Sequence, residues 1–206
     1  AVAEEIPAIG GDRTYGLKAE AAPGDLYLGN DYLEIAVDGT PFGQPGSIAG
    51  AVSGGSIIDA CIVELDQNYK RISPPMDMLE RLTPVINQDP SISLVFDQFK
   101  PMNTAALSRI EMLGYVHDPA HKLTGAAWDS AHRVQGLAVT HSISLSKEDH
   151  FFTLETTVVN NSATSLPVKN IGDYLFQKTG GFRFSVPAAE DMASPPNLLT
   201  NWGVEI

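Results

Sequence analysis

The 206-residue chain carries one cysteine, Cys61, so an internal disulfide is excluded. Cys61 lies in the apolar run GGSIIDACIVEL and reads as a small buried hydrophobe rather than a nucleophile. One cysteine leaves the redox compartment open. Basic stretches are missing as well. Lys and Arg number 13 against 25 Asp and Glu, a net charge of −12, and the pI is near 4.6. Lys70-Arg71 is the nearest approach to a basic patch. An acidic surface with no Lys/Arg stripe cannot displace counterions from a phosphate backbone, which excludes nucleic acid, and it is repelled by anionic lipid. No apolar run approaches the roughly 18 residues of a membrane-spanning helix, so no membrane insertion is expected. Dinucleotide and phosphate-loop glycine spacings are absent, and no G-x-S-x-G elbow is present for a serine hydrolase. The partners left by these exclusions are neutral ligands such as sugars, cations, and other proteins.

What the chain does have is glycine and proline, 18 and 14 residues, beside 43% hydrophobic and only 18% charged residues. That mixture favours many turns over long helices. Residues 1–23 read as an extended lead-in, and 24–206 as one β domain. GDLYLGNDYLEIAVDG gives two short strands around Gly29-Asn30-Asp31, with Leu33, Ile35 and Val37 alternating against Glu34 and Ala36 as on a half-buried strand. SIIDACIVEL (56–65) suits a strand covered on both faces. PPMDMLERLTPVIN (74–87) carries the signs of one short helix near 76–83: prolines at the start, an early Asp77, and an apolar stripe of Met78, Leu79 and Leu82.

From residue 91 onward, alternation predicts strand after strand. Val139, His141, Ile143 and Leu145 share one side, opposite Ala138, Thr140, Ser142 and Ser144; Phe152, Leu154, Thr156 and Val158 share a side of the next strand. FFTLETTVVNNSATSLPVKNIGDYLFQ (151–177) reads as a hairpin within a large antiparallel sheet. The expected fold is therefore all-β, a large antiparallel two-sheet sandwich with one short helix.

The polar residues with functional potential are few. His141 sits among apolar neighbours and reads either as a satisfied core histidine or as an inward ligand or general acid. Asp59 interrupts an apolar run. Burying a carboxylate requires partners, supplied either by the Gly54-Gly55 amides or by a ligand at a cleft mouth. Asp173 follows Gly172, where a glycine bulge with a backbone-bonded Asp competes with a hydroxyl- or cation-binding carboxylate. Trp128, Trp202, Tyr115 and Tyr174 can stack on sugar rings or serve as half-buried aromatics. His117 and His121 stand four apart, but Pro119 breaks any helix that would align them on a metal, so no metal or cofactor site is expected. Asn160-Asn161-Ser162 matches a glycosylation sequon.

Three stretches, GDLYLGNDYLEIAV, GGSIIDA followed by Asp77, Leu79 and LTPVIN, and FFTLETTVVNNSATSLPVKNIGDYLF, together resemble β-rich domains on the N-terminal side of longer bacterial extracellular proteins, related to the galactose mutarotase-like β-supersandwich. The resemblance covers about residues 24–87 and 132–184. It implies a supersandwich with a concave, sugar-facing sheet. The family's catalytic His and Glu have no recognisable context here, so no catalytic residue is carried over.

The expectation is a non-catalytic carbohydrate-binding or structural module of a secreted or periplasmic protein, with His141, Asp173, Asp59, Tyr174 and Trp128 as ligand-binding candidates. A neighbouring domain of the same protein is the other expected partner. The start AVAEEIPAIGG resembles the flank of an A-x-A cleavage site, and the Pro-rich close VPAAEDMASPPNLLTNWGVEI reads as leading into further chain. The alternative is a sugar epimerase or glycoside-active domain pairing His141 with Asp173 or Glu155.

Overall fold

The structure, a computed structural model, describes residues 1–7, 21–39, 54–63, 67–68, 81–123 and 132–176. Ten strands occur in them: β1 (Val2–Glu5), β2 (Leu26–Gly29), β3 (Leu33–Val37), β4 (Ile57–Ile62), β5 (Arg81–Ile86), β6 (Asp89–Asn103), β7 (Leu107–His117), β8 (Leu137–Ser146), β9 (Thr153–Asn160) and β10 (Ile171–Phe176). They form one antiparallel sheet in the order β1 to β9, with β10 attached to β5. Among the described residues the all-β expectation holds.

The β6–β9 meander follows the sequence pattern closely. On β8, Val139, His141, Ile143 and Leu145 are buried, whereas Ala138 is exposed and Thr140 and Ser144 are half-buried. On β9 the alternation is clean, with Leu154, Thr156 and Val158 turned inward and Thr153, Glu155 and Thr157 outward. β3 departs from its half-buried expectation: all five residues, Leu33 to Val37, are buried. Both faces of β3 are covered, and Glu34 lies within hydrogen-bond reach of the Tyr27 hydroxyl at 2.7 Å.

The short helix is not seen. Residues 81–86, the C-terminal part of the helical stretch, form β5; residues 74–80 lie outside the described residues. The Met and Leu spacing favours a helix locally, but Thr83, Val85 and Ile86 suit a strand, and pairing along both edges of β5 overrides the local preference. One edge of β5 takes the whole of β10, from Ile171 opposite Ile86 to Phe176 opposite Arg81. The other edge is divided, Leu82 facing Ile57 of β4 and Val85 and Ile86 facing Ser93 and Asp89 of β6. Pro84 falls at this fork, registered with neither β4 nor β6, where its missing N–H costs no ladder bond on that edge.

The 151–177 hairpin is likewise corrected. β9 pairs only with β8 among the described strands, and β10 crosses to β5. Asn87 directs that crossing. Asn87 and Gln88 form the two-residue β5–β6 turn, both with φ of 57°, the left-handed pair of a type I′ turn. From there the Asn87 side chain donates to the Pro167 carbonyl at 2.9 Å and accepts from the Lys169 amide at 2.7 Å. The Asn87 amide also donates to the Asn170 carbonyl. These bonds lay residues 167–170 beside β5 just before β10 begins.

The core gathers Leu28, Ile35, Ile57, Phe96, Ile110, Met112, Ile143 and Leu145 from both ends of the strand order. β1 lies against β6 and β7, and β2 against β7 and β8. Asn103 joins them as a strand would, its amide accepting from Ala3 N at 2.7 Å and donating to Ala3 O at 2.8 Å. Asn30 ties the β2–β3 turn to the carbonyls of Ser146 and Asp149.

Candidate functional site

β8 carries His141 into the core, where it is 2% exposed. Its Nδ1 lies 2.7 Å from the Thr156 hydroxyl on the paired strand, and its ring is tilted 5.7 Å from that of Phe96. Burial without a charged neighbour pushes its pKa down to about 4. His141 is therefore a neutral core histidine at pH 7. Glu155, one residue from Thr156, is exposed on the opposite face. Among the described residues no hydrogen bond joins His141 to Glu155 or Asp173.

Asp59 is 1% exposed and accepts the Ala21 amide at 2.8 Å. The Gly54 and Gly55 amides go instead to Asp38, to its carboxylate at 3.2 Å and its carbonyl at 2.8 Å. Asp38 thus takes the turn-acceptor role that was one of two expectations for Asp59. Asp38 also faces Asp25, whose pKa is raised by burial and by the Asp38 charge against two amide hydrogen bonds from Ala22 and Gly39.

Asp173 sits in β10 opposite Pro84, in unbroken register with Gly172 opposite Val85, so Gly172 makes no bulge. Half-buried, its carboxyl is raised to about 6 by desolvation. Tyr174 stands in β10 opposite Thr83, and its side chain lies outside the described set. Trp128 and Trp202 also lie outside the described residues. Of the described candidates, His141 and Asp59 are interior, on β8 and β4, and Asp173 stands on β10.

Two other features carry exposed polar groups. The outward face of β6–β9 aligns three transverse rows: Met102, Arg109, Ser144 and Thr153; Lys100, Glu111, Ser142 and Glu155, of which Ser142 is buried; Gln98, Leu113, Thr140 and Thr157. The second is a histidine cluster after β7. His117 and Arg133 form an isolated bridge, bringing His132 beside His121 with Nδ1 and Nε2 3.3 Å apart. His117 stands edge-on to His132 at 6.2 Å between ring centres. Burial, then the nearby His132, lowers its pKa, against the pull of Asp118. Sequence spacing pointed to His117 and His121; the left-handed φ of His121 and His132 (53° and 58°) is what turns His121 toward His132. Among the described residues no group of three or more His, Cys, Asp or Glu side chains is arranged to hold a metal, and no helix is long and apolar enough to cross a membrane.

No family model matches the chain, and comparisons with curated proteins and with solved structures find no match. The galactose mutarotase-like resemblance rests on the quoted sequence stretches alone.

Proposed function

We propose that this chain is a non-catalytic β-sandwich module, of the galactose mutarotase-like kind, that binds neutral carbohydrate on the outward face of β6–β9 within a secreted or periplasmic protein, beside further domains. The sandwich reading draws support from β1 and β2 lying against β6–β8. The observation that carries the function is the composition of the outward face. Its three rows place two cations, Lys100 and Arg109, among two anions, Glu111 and Glu155. On a chain of net charge −12, that platform is locally balanced, with Arg109 3.5 Å from Glu111. Thr140, Ser144, Thr153, Thr157 and Gln98 each supply both donor and acceptor. Four strands give a platform about 14 Å across. A neutral polyhydroxy ligand matches such a face better than an anion or an apolar chain does.

The test is binding to an array of neutral glycans. Arg109→Ala and Gln98→Ala, both on the solvent side, are expected to weaken binding at least tenfold with unchanged thermal stability. Failure of the native chain to hold any neutral glycan refutes the sugar reading and leaves a structural module.

A further inference from the structure

We propose that His121 and His132 form a two-imidazole chelate for a borderline divalent transition-metal ion such as Zn2+, Ni2+ or Cu2+. The two facing nitrogens, His121 Nε2 and His132 Nδ1, are 3.3 Å apart. Two nitrogens each bound at 2.0–2.1 Å in a tetrahedral arrangement stand about 3.3–3.4 Å apart, so both can reach one ion once the rings turn their lone pairs from each other toward it. Both residues are exposed, which leaves a solvent route to them.

The chelate is held before any ion arrives. The Asp118 amide donates to the His132 carbonyl at 3.0 Å, and the His121 amide to the Asp118 carbonyl at 3.1 Å. The fully buried Asp118 carboxylate accepts the amides of Lys122 and Leu123 at 3.0 and 2.7 Å. One residue thus fixes both backbones, and the ordering entropy that weakens flexible chelates is already spent in folding. Both histidines hold left-handed φ, 53° and 58°, which non-glycine residues keep only where the surroundings enforce it.

Charge also suits a cation. The neighbouring Lys122 is engaged by Asp89. Imidazole donors select zinc, nickel and copper over magnesium and calcium, with copper preferred at equal geometry.

Zn2+ and Ni2+ alone are titrated into the purified chain by calorimetry, and Zn2+ is followed through histidine ring proton resonances. One equivalent should bind, with His121 and His132 resonances shifting and His150 still. His121→Asn and His132→Asn, each able to hold left-handed φ, should each weaken binding at least tenfold, and Ca2+ and Mg2+ should give no signal. Unchanged affinity in both variants, or shifts confined to other histidines, overturns the proposal; the resonance experiment decides it even where a variant fails to fold.

Discussion

His141 and Asp173 make opposite demands on pH. Burial lowers the His141 pKa from 6.5 to about 4, so the folded chain holds fewer protons than the unfolded chain in that interval, and stability is lost as pH falls through it. Burial raises the Asp173 pKa from 3.8 to about 6; the folded chain there holds more protons, and stability is lost as pH rises. At ~1.4 kcal/mol per tenfold change in proton affinity, the His141 interval is worth about 3 kcal/mol. The Asp173 interval is nominally similar, trimmed to ~1–2 kcal/mol because the half-buried carboxyl keeps some water. Between pH 4 and 6 the Asp173 contribution partly offsets that of His141. Denaturant unfolding from pH 4 to 7.5 resolves them. His141→Leu should leave a curve sloping down with rising pH relative to the native chain. Asp173→Asn should slope up, and be more stable than native at pH 7.5 by ~1–2 kcal/mol. Curves that run parallel to the native one in both variants refute the assignment of either proton.

Two further outcomes follow from close packing and from the β5–β10 crossing. A Cβ on Gly114 would meet the Val95 carbonyl oxygen at 1.9 Å; as backbone cannot yield, Gly114→Ala should cost more than about 3 kcal/mol by denaturant unfolding. Asn87→Ala removes both the left-handed turn residue and the hold on 167–170. It should cost about 2 kcal/mol and speed hydrogen exchange in Ile171–Phe176 well before the β6–β9 strands; uniform exchange across the sheet contradicts the role given to Asn87.

The strands from residue 97 to 160 were legible because each packs one face largely on the core and turns the other largely to water, so period 2 survives in the sequence; Ile92–Phe96, buried on both faces, read as a strand from their apolar run. β3 was misjudged on burial because both its faces are covered. β5 was hidden behind helix-like spacing, and the strand preference of Thr83, Val85 and Ile86 prevails only with pairing from β10, β4 and β6. The β10 crossing depends on side-chain bonds from Asn87 to a distant segment, which no local pattern announces. At the candidate sites, the buried setting of His141 was readable from its apolar neighbours. Glu155 and His141 were paired in sequence reasoning, although adjacent residues on a strand turn Glu155 away from the face that Thr156 shares with His141. Asp38, Asn103 and His132 were missed because their partners are far along the chain; a polar residue beside a turn is the one hint each offered.

The meander from β6 to β9 is stitched from near neighbours and can form early, whereas β10 must wait for an edge laid down far upstream. Until it arrives, that edge lies open, and in a crowded solution β10 of another copy is its nearest substitute. Concentrated refolding should therefore yield dimers that trade Ile171–Phe176, while dilute refolding should not.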